Sequence, residues 1–182
     1  MANQQTDKLV LYARDLCGND TVHWKLVNDT VHEEAPTSNE QEPKPSDAYL
    51  EVAELLHVNE FAVHGTFNTQ NLKAGIYQVA LVVKVKTTDP AEDTFLNFHL
   101  HQKKGHEKYK TVNLHKYEAH TWTDIKIDDS VEVTDCDHEL GQVELTITKV
   151  GTNYWTEKIL LVDAVVMKLV QELGKEPAKT SG

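Results

Sequence analysis

From residue 60 onward the polar and apolar positions of the chain alternate. Phe61, Val63 and Gly65 interleave with Glu60, Ala62 and His64, and a period of two is how a pleated strand sorts its two faces. The pattern returns at Leu96, Phe98 and Leu100, with Asn97, His99 and His101 between them, and again at Val143, Leu145 and Ile147. Residues 76–85 and 159–166 are instead apolar almost throughout, which suits strands covered on both sides. The first of these is expected at the middle of the core and the second as the closing strand.

Shorter strands are expected at 9–12, 22–27, 109–114 and 122–127. Residues 48–56 read equally well as strand or short helical turn, because Leu50, Ala53, Leu55 and Leu56 suit either. Between these elements the chain predicts a turn-rich loop at 14–21, a Lys-rich turn at 103–108, an acidic loop at 128–139 and a turn at 151–155. Many short strands, turn signals every eight to fifteen residues or so, and no long amphipathic helix predict an all-β fold. The expected architecture is an antiparallel β-sandwich, jelly-roll-like, in a single domain. That domain spans 9–170, with flexible tails at 1–8 and 171–182. Residues 29–47 interrupt it: they carry six acids, only Lys44 as a base and three prolines. Such a segment cannot bury enough apolar area to offset chain entropy, so a disordered acidic insertion is expected there.

Composition narrows the functional classes. A chain of 182 residues with a formal charge of −11 is long enough for one core and poorly suited to sequence-independent nucleic-acid binding, which draws on Lys and Arg. The local cluster Lys103, Lys104, Lys108 and Lys110 reads as a solvated hairpin tip. Two cysteines, Cys17 and Cys136, are too few for a disulfide framework. No apolar run is long enough to span a membrane, and the first residues lack the features of an export signal, so a soluble cytoplasmic protein is expected.

Ten histidines raise the question of a metal. His99 and His101 share a strand face, with His115 and His120 further on, but nothing completes a recognisable ligand spacing. No phosphate loop, nucleophile elbow or zinc-protease helix is present, and acid pairs such as Asp128 and Asp129 fall in charged runs. Neither catalysis nor a cofactor or metal is expected. A sugar site has a different signature: an aromatic plane for the C–H face of the ring, and fixed polar groups for its hydroxyls. Trp24 is the best single platform, with Asn19, Asp20 and His23 as polar neighbours. The alternative is a core Trp plugging one end of the sandwich.

Six stretches resemble the plant phloem protein 2 family, the Nictaba-like lectins. They are residues 13–16 (ARDL), 18–24 (GNDTVHW), 51–61 (EVAELLHVNEF) followed by Gly65, 121–127 (TWTDIKI), 141–145 (GQVEL), and Tyr154-Trp155 leading into 159–165 (ILLVDAV). The resemblance implies a β-sandwich, a nucleocytoplasmic or phloem-sap location, dimerisation, and non-catalytic binding of N-acetylglucosamine oligomers or N-glycan cores. It places Gln142 at the site beside Trp24, with Tyr154 and Trp155 in the neighbouring turn. The chain departs from sugar-binding members at three places. Cys17 stands where they have a Trp before the Gly-Asn-Asp run, Leu26 where they often carry a second Trp, and Lys149 where they carry an acid. Loss of one aromatic platform, about 1.5–3 kcal/mol of burial, predicts affinity lower by roughly tenfold to a hundredfold. Two other readings are a lectin-fold protein that holds a protein partner through 29–47, and an RNA-associated protein using Lys103 to Lys110.

Overall fold

The computed structural model describes residues 5–28, 51–56, 60–86, 94–103, 105–134, 141–151, 155 and 159–174. Ten strands account for most of them: β1 (Lys8–Tyr12), β2 (Trp24–Asn28), β3 (Glu51–Leu55), β4 (Ala62–Asn68), β5 (Gly75–Val85), β6 (Phe95–Gln102), β7 (His106–Asn113), β8 (Trp122–Val133), β9 (Gln142–Lys149) and β10 (Leu160–Glu172). One short helix, α1 (Ala13–Cys17), and a 3-10 turn at Leu114–Lys116 join them. No helix among the described residues is long and apolar enough to cross a membrane.

The strands form two antiparallel sheets facing each other, the expected sandwich. One has the order β2-β3-β10-β5-β8, with β1 also paired to β10; the other has the order β4-β9-β6-β7. The two apolar strands lie side by side at the centre of the larger sheet. β10 pairs with β5 along one edge, and on the other with β1 and then β3 in succession. Between the sheets, Tyr77, Val79, Leu81 and Val83 of β5 meet Leu96, Phe98 and Leu100 of β6 and Val143, Leu145 and Ile147 of β9, all buried. The alternation read from the sequence is thus the inward face of each strand. Tyr77 brings a polar tip into this layer, and its hydroxyl donates to the Lys73 carbonyl at 2.8 Å. Burial pushes its pKa up to about 12, with Asp7 and Glu172 adding to the effect.

Several boundaries differ from expectation. The ambiguous stretch resolves as strand β3, because it fills the gap between β2 and β10, where Val52, Ala53 and Leu55 are all buried. The loop expected at 14–21 begins with α1, whose first turn is closed by Asp15 accepting from the Tyr12 N–H at 3.1 Å. Val22 and His23 belong to the turn before β2. The acidic loop expected from residue 128 is a correction: β8 continues to Val133 through a register shift opposite Val79. Asp128 is buried there and satisfied by Ser130 and His106. β10 runs beyond residue 166 because β1 and β5 flank it to Lys168 and Glu172 respectively. Thr6, in the expected tail, donates its N–H to the Asn71 carbonyl at 2.9 Å. The insertion at 29–47, Lys104, Cys136 and Tyr154 lie outside the described residues.

Candidate functional site

The segment between α1 and β2 carries most of the residues nominated for a sugar. Its backbone is tied down at each step. Gly18 N–H donates to the Arg14 carbonyl at 3.0 Å, Asp20 N–H to Cys17 at 3.1 Å and Trp24 N–H to Asp20 at 3.1 Å, while Leu56 N–H donates to the His23 carbonyl at 2.8 Å. Asp20 is the local organiser. Its carboxylate accepts from the His23 N–H at 3.1 Å and lies 2.7 Å from His23 Nδ1. Burial pushes the Asp20 carboxyl up, but the hydrogen bonds from His23 outweigh it and hold the group below the usual carboxylate range. Asp20 therefore stays ionised at neutral pH, and Asn19 beside it is exposed.

Trp24 does not lie open as a platform. Only 3% of it is exposed, and its ring meets Phe61 edge-on at 5.3 Å; Phe61 in turn meets Trp155, itself 1% exposed, at 6.0 Å. These three rings form one buried aromatic plug, set edge to face, a geometry aromatic pairs prefer to a face-to-face sandwich. The core alternative for Trp24 is the correct one, and Trp155 shares its fate. Both indole Nε1 atoms are buried and make no hydrogen bond.

Outside the stack, a surface cleft of about 370 Å³ runs between the segment and β2, lined by Cys17, Gly18, Thr21, Trp24, Lys25, Leu26 and Leu56. Its size falls within the range of small-molecule sites. Two positions at which the chain departs from sugar-binding relatives, Cys17 and Leu26, line it. The third, Lys149, is buried; its Nζ donates to the Gly151 carbonyl at 3.1 Å and sits 5.3 Å over the Trp155 ring. Gln142 is not brought to the cleft. It opens β9 opposite Asn68, at the far end from the Lys149 and Phe61 side of the sandwich. Seven residues of strand put it about 23 Å from Lys149. Among the described residues no group of three or more His, Cys, Asp or Glu side chains is placed to hold a metal ion.

On the outer face of the smaller sheet, sequence reasoning singled out His99 and His101 but overlooked Tyr109. There Tyr109 of β7 is 68% exposed and stacks flat on His99 of β6, with ring centres 4.3 Å apart and an interplanar angle of 5°. The signal was present. The outward set Asn97, His99, His101 is followed by a short turn, and Gly105 at φ 99° closes that turn and sets the register, pairing His99 with Tyr109.

The sequence profile of the phloem protein 2 family matches residues 10–168. The chain belongs to the phloem protein 2 family. Protein PHLOEM PROTEIN 2-LIKE A2 of Arabidopsis thaliana is 26% identical over 117 residues, 64% of this chain and 59% of that relative, so the match spans about three fifths of the relative's length. Among solved structures, TmCBM61 in complex with beta-1,4-galactotriose covers 92% of each chain at 12% identity and a TM-score of 0.50. The CBM22-1 xylan-binding domain of Paenibacillus barcinonensis Xyn10C covers 93% of this phloem protein 2 chain and 98% of its own, at 12% identity and a TM-score of 0.42. At such identity the likeness to TmCBM61 is one of fold, the two-sheet sandwich that the family member shares with it.

Proposed function

We propose that this phloem protein 2 family member is a non-catalytic, lectin-type carbohydrate-binding protein that takes N-acetylglucosamine oligomers or N-glycan cores in the cleft between α1 and β2. The observation that carries the reading is the open cleft, lined by Thr21, Trp24 and Lys25 on a turn that the Asp20–His23 pair locks, although Asp20 and His23 do not line it themselves. A sugar here meets the indole rather than lying on it, and the polar groups supply most of the recognition. Family membership supports a lectin-type role, and TmCBM61 holds galactotriose on the same kind of scaffold. A nucleocytoplasmic or phloem-sap location accompanies this reading. With the platform buried, affinity for a single sugar is low, and oligomers are the appropriate probe.

Calorimetry with chitotriose on the wild type, Asp20→Ala and Trp24→Phe tests it. Asp20→Ala releases the contact to His23 that locks the turn forming the cleft wall, and is expected to weaken binding about tenfold. Trp24→Phe leaves a smaller ring in the buried plug, so it is expected to lower the melting temperature by several degrees and to alter affinity through the shape of the cleft wall, since Nε1 itself is buried. Wild-type affinity retained in both variants, or no heat at millimolar chitotriose, would count against the cleft.

A further inference from the structure

Three outward side chains of β7, the edge strand of the smaller sheet, are each braced by a partner on β6. Glu107 Oε1 lies 3.3 Å from His101 Nδ1 and 3.7 Å from His99 Nε2. Tyr109 rests on His99. Thr111 Oγ1 donates to Asn97 Oδ1 at 2.5 Å. Cross-strand pairing thus places a carboxylate, an aromatic plate and a hydroxyl in a row, and four residue steps of strand make that row about 13 Å long. One face of the phenol is taken by His99. Among the described residues no further strand of this sheet flanks β7, and Tyr109 is 68% exposed.

We propose that Glu107, Tyr109 and Thr111 form a second saccharide site, distinct from the cleft, that takes a short neutral oligosaccharide along the strand. The chemistry selects the ligand class. A pyranose presents an apolar C–H face to an aromatic plate and hydroxyls around its rim, and this row offers one plate between two hydrogen-bonding groups. The row is longer than one ring, which favours two or three linked sugars. A β-1,4-linked chain, a flat ribbon with equatorial linkages, can lie against it without kinking. Glu107, with Glu144 in the same row on the other side of His101, disfavours an anionic sugar. A protein interface would instead gather several apolar residues at its centre and few charges; around Tyr109 stand Glu107, Thr111, His99 and Thr146. Tyr109 and Thr111 are already held by their β6 partners, so binding orders little of them that is not ordered beforehand.

The test is a titration of the full chain, ¹⁵N-labelled, with chitotriose and with cellotriose at millimolar concentration, followed by amide chemical shifts. Shifts at 107–111 and 97–101 that titrate together and weaken about tenfold in Tyr109→Ala, the loss of one stacking contact, are the expected result. The same shifts should persist in Asp20→Ala, because the cleft lies elsewhere. Shifts confined to 18–26 would overturn this site and leave the cleft standing. Shifts at 107–111 unchanged by Tyr109→Ala, or absent with both sugars, would overturn it as well. Tyr109 lies on the surface, so its truncation leaves the core intact, and a thermal melt of the variant checks this.

Discussion

His106 of β7 and Asp128 of β8 join the two sheets through a 2.7 Å contact between Nε2 and Oδ2. Asp128 is the buried member, and its other oxygen accepts from Ser130 N–H at 3.0 Å and Ser130 Oγ at 2.7 Å. A buried carboxylate is tolerated only when its lone pairs are filled, and here they are filled from both sides of the sandwich. This is the reason an acidic stretch continues as strand.

The pair also carries a pH dependence. Burial alone would push the Asp128 carboxyl up, but the hydrogen bonds from Ser130 and His106 outweigh it and hold it below the usual range. A carboxyl depressed by folding stabilises the native state above its unfolded value of about 3.9 and loses that contribution as pH falls through the lower folded value. Asp128→Asn is therefore expected to cost about 1.5–3 kcal/mol at pH 7, a fall in melting temperature on the order of 5 °C. The deficit relative to wild type should shrink as the pH drops below about 4. Thermal melts of both proteins across this range check it; a deficit that stays constant down to about pH 2.5 would contradict the assignment.

Leu26 lines the cleft and is half-buried at its wall. Replacing it by Trp places a large aromatic surface where the chain now offers a branched aliphatic. If the cleft holds sugar, Leu26→Trp should tighten chitotriose binding about tenfold, the return on roughly 1.4 kcal/mol of added contact. Calorimetry on the variant decides; affinity at or below wild type would mean that the sugar, if bound, does not reach this wall.

Cys17 lies 2% exposed at the end of α1 as a free thiol. Burial, and secondarily the negative charge of Asp20, push its pKa far above the ordinary thiol value. Only the thiolate attacks alkylating reagents, so Cys17 should resist iodoacetamide in the native protein at pH 8 and react once denatured. Peptide mass spectrometry reads this residue by residue; rapid native alkylation at Cys17 would show that α1 opens readily.

The two-sheet class was legible from local pattern. The alternation at 95–101 and 142–148 matches the inward faces of β6 and β9, and the apolar runs match β5 and β10. The candidate site was legible only in part. Asp20 and His23 are three residues apart, so the turn that unites them is a local event. Trp24 packs against Phe61, which is far from it in sequence, and a lone Trp after a turn carries no mark that says which way it faces.

Period, turn residues and apolar content, read along the chain, determined that this protein is a sandwich of antiparallel strands and which residues of most strands point inward, because those properties depend on near neighbours. Tertiary structure alone decided that Trp24 is walled into an aromatic plug, that Gln142 stands at the opposite end of β9, that Asp128 finds His106, and that Tyr109 lies open on His99. Each depends on strands far apart in sequence meeting in one register, and register is set by packing of the whole core rather than by any single stretch.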